Sequence, residues 1–577
     1  MIERLTGRWC MKKGRAFWAL PTAFLLCLAM SASAEVTEDQ QTDRFGRNIL
    51  AVLAEENADD LKLLTQFYVD RDMEPIWVND NEPTERAREL LRVLEGSSYD
   101  GLNPDDYNVG VIRNLMASDD PQTMAELDLR LSLSLMQFLS DLGSGRTEPS
   151  TLDPELFVYP QDIDKAQAIE KAAKSDNIGV FVGGYRPRQV DYWRLKGVLA
   201  NYRAMARVGG WPSIDDGPLL EGGERSPRVG QLRKLLLRLN DLKPADDLAA
   251  QGGDPHLFDE KLMAAVEHFQ GRHGLGQDGM VGPNTLTALN TPIEERIEQI
   301  VLNLERRRWM SDRNGSRYIL VNLADFHLEL IDRGEVVFDT PVVIGNLFNK
   351  TPVFTSDMTY LVINPFWNVP QSIAREEILP KTLADPGYLD RNGFDLFSDW
   401  SQNAPLVDHQ KVNWADLSAD DFDYKLRQRP GPTNALGRLK FMMPNEYNIY
   451  LHDTPVRAHF SENERSFSHG CVRVADPEAL AAAILKSQDA WSAEKIATTV
   501  ESGERNVVRL DQPLPVQLTY LTSWVDEENV VHFRNDVYER DQILADALAG
   551  SSPRQGTTTA GIDVKTPELN DELTVAQ

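Results

Sequence analysis

His452 to Arg473 reads HDTPVRAHFSENERSFSHGCVR and contains Cys471, the only cysteine beyond the first thirty of the chain's 577 residues. A lone cysteine is ordinarily a small buried hydrophobe, but three histidines accompany this one, with His452 and His469 as the candidate bases. Cysteine attacks as the thiolate, a minor form at neutral pH. An imidazole that takes the proton must lower the thiol pKa by about 1.5 units, or about 2 kcal/mol, to make thiolate the majority form. His469 lies two residues from Cys471 in a turn, where its ring and the sulfur rarely meet. His452 ends an apolar strand and can present its ring across a sheet. We therefore read Cys471 as nucleophile and His452 as general base and proton donor, the two forming a thiolate–imidazolium pair around neutral pH. The main-chain carbonyl of Asp453 is the expected acceptor that fixes the His452 tautomer. The N–H groups of Gly470 and Cys471 are the expected oxyanion donors. Ser468 and His469 shape the loop or contact substrate, and Arg473 offers a fork either to a substrate carboxylate or to a structural salt bridge.

Around this stretch the pattern is that of a sheet. Tyr318–Asn322, Phe326–Ile331, Val336–Phe338, Val342–Gly345 and Thr359–Ile363 alternate with β-branched and aromatic residues. Lys440–Met442, Tyr447–Leu451 and a late pair, Leu514–Trp524 with Val530–Tyr538, continue it. A long segment rich in Asp, Pro and Gly interrupts the strands between Pro370 and Gly437. Such an insertion beside a catalytic region is expected to be a lid, with Ile373, Leu379, Phe394, Phe397, Trp400, Trp414 and Phe422 as a small core. Asp476 to Leu485 predicts a helix capped by Asp476.

Upstream the pattern is helical. Residues 35–215 read as a helical scaffold, in which the alternating Leu127–Leu135 run is long enough to be a buried helix. Between 226 and 290, Ser226-Pro227 opens one amphipathic helix, Asp259 to His273 forms a second with Gly274 as its stop, and Gly282-Pro283 opens a third. His256, His268 and His273 are read as surface histidines, since their spacing fits no compact metal motif.

The N-terminus follows the export pattern: Lys12, Lys13 and Arg15, an apolar run to Met30, then Ser31-Ala-Ser-Ala34. Residues 1–34 are expected to be a signal peptide, which left uncleaved would tether the protein to a membrane. The net charge of −29 becomes about −33 without that basic leader, a balance that disfavours nucleic acid and anionic lipid. Residues 550–577, rich in Ser, Thr and Gly, predict a disordered tail.

The spacing of His452 and Ser468-His-Gly-Cys471 resembles the signature of the L,D-transpeptidase (YkuD-like) catalytic domain. Lys350-Thr-Pro-Val353, Asn364-Pro-Phe-Trp-Asn-Val-Pro370, Arg427-Gln-Arg-Pro-Gly431, Leu436-Gly-Arg438 and Tyr450-Leu-His-Asp-Thr-Pro455 are similar to the large periplasmic type of that family. Asp453 stands where many members carry Gly. Phe269-Gln270, His273-Gly-Leu275, Asp278-Gly279, Val281-Gly-Pro283 and Ala288-Leu-Asn290 resemble a peptidoglycan-binding three-helix module. The resemblance implies an α+β multidomain chain: helical scaffold, wall-binding module (226–290), and a β-rich catalytic domain (315–540) with a substrate cap (371–434). It further implies a periplasmic enzyme that takes tetrapeptide stems through a cysteine thioester to 3→3 cross-links. No metal or nucleotide is implied. Candidate partners are other cell-wall enzymes, and carbapenems are the implied covalent inhibitors. Rival readings are an L,D-carboxypeptidase of the same wall, a non-catalytic wall-binding scaffold, and a zinc hydrolase using His452, His459, His469 and Cys471.

Overall fold

A computed structural model describes residues 59–310 and 315–550. The leader, the first scaffold positions Ile49, Val52 and Leu53, and the tail beyond 550 lie outside the described residues. Among those described, no helix is long and apolar enough to cross a membrane.

The first described part of the chain holds helices α1 (Asp59–Val69), α2 (Glu85–Glu95), α3 (Pro121–Ser144) and α4 (Val190–Arg207). The leucine alternation of α3 is strand-like in period, yet Leu127, Leu131, Leu135, Phe138 and Leu142 are all fully buried within the helix. α3 is surrounded on most sides, so apolar residues recur off any single stripe. Its fully buried Asp128 accepts hydrogen bonds from the Tyr68 hydroxyl and from the N–H groups of Ile76, Trp77 and Val78. Burial nevertheless raises its carboxyl to about 6.

Helices α5 (Pro227–Leu239), α6 (Glu260–Arg272) and α7 (Pro283–Asn290) start where their caps predict, with Ser226 and Asp259 accepting main-chain N–H groups. They share a core of Val229, Leu232, Leu236, Leu262, Val266 and Phe269. Ile214 and Leu220, upstream of Ser226, belong to that core too, and Leu220 bridges to Val281. His273 is not a surface residue: it is buried, with its ring stacked on Phe269 and Phe533, and desolvation lowers its pKa.

Helix α8 (Ile293–Trp309) packs against α3 and α4 and against the segments Ser523–Val525 and Arg540–Gly550. The basic run at its end is a buried joint: Arg306 pairs with Asp541, Arg307 with Asp191, and Arg308 with Glu305.

The C-terminal half is a sheet of β1 (Arg317–Asn322), β2 (His327–Asp332), β3 (Glu335–Gly345), β4 (Phe354–Ile363), β5 (Leu439–Met442), β6 (Leu451–His452), β7 (Ser466–Ser468), β8 (Val472–Val474) and β9 (Asn506–Thr519). The strand order is β7-β3-β8-β6-β5-β4-β9-β1-β2, and β2 also pairs with β3, closing a barrel. Helices α9 (Pro477–Ile484), α10 (Ala493–Glu501) and α11 (Arg540–Gly550) pack outside it.

Three expectations change. Tyr447 to Tyr450 is a turn and not a strand, because the Asn445 side chain accepts the N–H groups of Tyr447 and Ile449, and Asn448 takes φ 58°. The late strand pair is replaced by β9, inserted between β4 and parallel β1, while only Ser523–Val525 pairs with Val531–Phe533. In the insertion, Leu379, Phe394 and Phe422 form the core with Ile373 and Trp414 at its margin, but Trp400 is 43% exposed. The insertion also builds a four-stranded sheet, in which its strands Lys425–Gln428, Phe394–Phe397 and Leu406–Val407 are joined by Trp367–Asn368 just before it.

Gly345, at the end of β3, is where the sheet meets the Cys471 loop. A Cβ there would lie 2.0 Å from the Asn349 carbonyl oxygen and 3.0 Å from the Gly470 Cα. Both neighbours are backbone and cannot swing away. Gly345→Ala is therefore expected to lower stability by about 3 kcal/mol or more, as overpacking at a rigid contact does, measured by urea unfolding. A variant as stable as wild type would mean that this contact is not tight.

Candidate active site

The geometry of the site follows from one pairing. β6 and β8 run parallel with Leu451 opposite Val472 and His452 opposite Arg473. β5 lies antiparallel on the other side of β6, with Lys440 opposite His452. Side chains alternate across a sheet, so Leu439, Phe441, Leu451, Val472 and Val474 enter the barrel core. Lys440, His452 and Arg473 form a row on the opposite face. One step back along both strands, Tyr450 and Cys471 form the next row, with the Val472 N–H on the Tyr450 carbonyl.

Each predicted residue can now be located. His452 is buried, and its Nδ1–H donates to the Asp453 carbonyl at 2.5 Å, which leaves Nε2 as the basic nitrogen. Asp453 keeps its side chain out of that contact. Its carboxylate accepts from the Arg438 and Thr454 N–H groups and pairs with Arg457. An aspartate there is thus compatible with a main-chain role, because the carboxylate ties down the neighbouring turn. Cys471 is half-buried, and its Sγ donates to the Asn448 carbonyl at 3.8 Å.

The Ser468 hydroxyl staples the loop, accepting from the Gly470 N–H at 3.1 Å and donating to the Cys471 carbonyl at 2.6 Å. The Gly470 N–H is therefore engaged inside the loop and, of the expected oxyanion pair, does not stand free. Gly470 adopts φ 105°, a region that favours glycine. The Nε2 of His469 lies 2.9 Å from Glu377 of the insertion. Arg473 donates to His459 Nδ1 at 3.4 Å, so it is not locked in a carboxylate salt bridge.

Sequence reading missed four groups. Tyr450 directs both its main-chain N–H and its hydroxyl at the Cys471 sulfur, where both favour the thiolate. It precedes His452 by two residues, a strand spacing that could have flagged it. Lys440 sits 3.6 Å over the Tyr450 ring, a contact only the strand register reveals. Thr351 and Tyr538 brace the loop from behind. Thr351 Oγ1 donates to the Gly470 carbonyl at 2.7 Å, and the Tyr538 hydroxyl accepts the Thr351 N–H while donating to the Gly345 carbonyl.

The electrostatics correct the expected thiolate–imidazolium pair. Desolvation pushes the Cys471 thiol above its ordinary value despite Tyr450, Lys440 and Arg473. Desolvation first, then the Arg473 and Lys440 charges, lower His452 to about 3. Both groups are neutral at pH 7, because burial disfavours each charged form.

Comparison with known proteins agrees with this architecture. Residues 316–501 match the L,D-transpeptidase catalytic domain (YkuD), 225–289 match a domain described as "Putative peptidoglycan binding domain", and 62–199 match a scaffold domain. A Haemophilus influenzae protein named "Putative L,D-transpeptidase" is 32% identical over 246 residues, 42% of this chain and 48% of that protein. The chain thus spans about half the length of this curated relative. Solved structures with some likeness are an L,D-transpeptidase from Mycobacterium smegmatis (12% identity, 35% of this chain and 58% of that one, TM-score 0.17) and one from Xylanimonas cellulosilytica (16%, 53% and 98%, 0.15). Scores that low carry no structural weight. The sequence matches suffice to say that this chain carries an L,D-transpeptidase catalytic domain of the YkuD family, together with a peptidoglycan-binding domain and a helical scaffold domain.

Proposed function

We propose that the protein is a peptidoglycan L,D-transpeptidase that forms 3→3 cross-links through a thioester on Cys471. The observation that carries this reading is the shared face of Tyr450, His452, Cys471 and Arg473 beneath the insertion. The Cys471 sulfur attacks the carbonyl of the L-centre of the third residue in a tetrapeptide stem, and His452 Nε2 takes the thiol proton as the C–S bond forms. The resulting oxyanion accepts from the Cys471 N–H, since Ser468 holds that of Gly470. Collapse breaks the C–N bond, and the departing terminal D-alanine takes its proton from His452. A side-chain amine of a second stem then attacks the thioester, gives its proton to His452, and the sulfur leaves and is reprotonated.

A neutral starting pair suits this sequence. An imidazole held near 3 by burial and by Arg473 becomes, once protonated, a strong acid toward a leaving amine. The insertion acts as a lid, supported by its Glu377 on His469, and the module around α5–α7 supplies wall affinity. Carbapenems acylate Cys471, and the protein works in the wall compartment, delivered by its leader.

Incubating the full chain with disaccharide tetrapeptides and weighing the products tests this reading. Wild type is expected to yield a dimer lacking one D-alanine, and Cys471→Ala none, with its melting temperature within a few degrees of wild type. Tripeptide monomers alone would replace the transpeptidase with a carboxypeptidase, and activity in Cys471→Ala would remove Cys471 from the chemistry. The pKa directions add a second expectation. Since the thiol lies above its usual value of 9.0, alkylation of Cys471 in the free enzyme should rise about tenfold per pH unit from pH 6 to pH 9. A plateau between pH 6 and pH 7 would restore the resting ion pair.

A further inference from the structure

Two cations flank His452 on the face that carries Cys471. Lys440 stands opposite His452 through the antiparallel pairing of β5 and β6, and Arg473 stands opposite it through the parallel pairing of β6 and β8. The Lys440 stem leans back by one row, so that its Nζ lies 3.6 Å from the centroid of the Tyr450 ring, whose hydroxyl is directed at the Cys471 sulfur. Lys440 is half-buried and has no hydrogen-bond or ion-pair partner among the described residues. Its ammonium keeps accessible surface beside that ring, so it opens onto the site.

The neighbouring charges leave this cation uncompensated. Cys471 and His452, the titratable groups that bear on Lys440, are both neutral at rest, and no carboxylate acts on it. Arg473 is less free: it donates to His459 and feels the Glu377 carboxylate of the insertion. Glu377 itself lies 2.9 Å from His469 and 3.6 Å from Lys381. The Asp453 carboxylate is taken up by the Arg438 and Thr454 N–H groups and by Arg457. Desolvation lowers the Lys440 pKa, and an anion brought beside the ammonium would reverse that effect. A cation drawn partly out of water without an acceptor costs stability, and a carboxylate of the substrate is the acceptor that this site meets.

We propose that Lys440 is a specificity residue that binds the free terminal carboxylate of the donor stem, and so selects stems that end in an unblocked D-alanine. The inference rests on the transpeptidase reading of the site. That carboxylate is three bonds from the carbonyl carbon that Cys471 attacks, whereas a carboxylate on the side chain of the third residue is farther off. The nearer one suits an ammonium held against Tyr450, whose hydroxyl already touches the sulfur. A point charge on a flexible stem also follows the carboxylate as the C–N bond breaks and D-alanine departs.

Isothermal titration of the full chain carrying Cys471→Ala, which leaves the donor uncleaved, tests the proposal. The ligands are a tetrapeptide, the same peptide as its terminal amide, and, for the other source of a carboxylate, the peptide amidated at the side chain of its third residue. The free acid is expected to bind at least tenfold more tightly than the terminal amide, while side-chain amidation changes affinity less than threefold. Adding Lys440→Gln should bring the free acid and the terminal amide within threefold of each other. Lys440→Met, which keeps an apolar stem against Tyr450, should do the same. A structural effect of either change would weaken acid and amide alike and leave their ratio in place, and the wall-binding module is common to all the proteins compared. No turnover is needed, so a failure to form dimers would strike the transpeptidase reading and not this one. Equal affinity for acid and terminal amide with Lys440 present, a preference that persists in Lys440→Gln or Lys440→Met, dependence on the side-chain carboxylate instead, or no saturable binding of the free acid would each overturn the proposal.

Discussion

The parallel pairing of β6 with β8 is the constraint on which the site depends. It places His452 beside Arg473 and Tyr450 beside Cys471 at a fixed register. A slip of one residue would turn all four into the barrel core and bring Leu451 and Val472 out to the surface, exchanging a polar face for an apolar one. The buried leucines and valines of these short strands thus specify the position of the chemistry. Parallel neighbours need a long connection, and the chain between His452 and Cys471 provides it, running out through Ala458–Ser461 and back along β7. The turn around Asp453 and the Ser468 staple close the two ends of that excursion. Thr351 and Tyr538 then hold the loop from the far side, so Cys471 sits on a main chain fixed by hydrogen bonds in three directions.

Burial and charge act against each other at this face. Lys440 and Arg473 both lie in the row that contains His452, and each favours a thiolate while opposing an imidazolium. Desolvation overrides the first effect and reinforces the second, so sulfur and imidazole rest uncharged. Such a site keeps its thiol weakly reactive until a substrate carbonyl supplies the reason to transfer the proton. In an oxidising compartment this is also a protection, because the thiolate is the form that is oxidised. Arg473 lowers the basicity of His452 and in doing so strengthens its conjugate acid.

Much of this was legible in the sequence because it was local. Helix caps at Ser226 and Asp259, the barrel strands up to β4, and the spacing of His452 and Cys471 are all set by residues close together in the chain. The acceptor of His452 Nδ1 was legible for the same reason, being the next residue. What escaped reading was set by distant contacts. Glu377 meets His469 across an insertion, Tyr538 reaches Thr351 from the other end of the domain, and Lys440 meets Tyr450 only through the antiparallel register of β5. The ionisation of the pair is not legible from proximity, because burial, which no local pattern displays, decides it. Asn448 shows the reverse case: a left-handed asparagine delays to Leu451 a strand that alternation would have begun at Tyr447.

The central claim is that Cys471 carries the acyl group and that His452 moves the proton. The measurement closest to it is intact-protein mass after rapid acid quench of the enzyme mixed with a tetrapeptide donor in the absence of acceptor amine. The account predicts an added mass equal to the donor less D-alanine, mapped to the Cys471 peptide, labile to hydroxylamine as a thioester is, and formed far more slowly in His452→Ala. An adduct on another residue, or one that forms at an undiminished rate in His452→Ala, would contradict it.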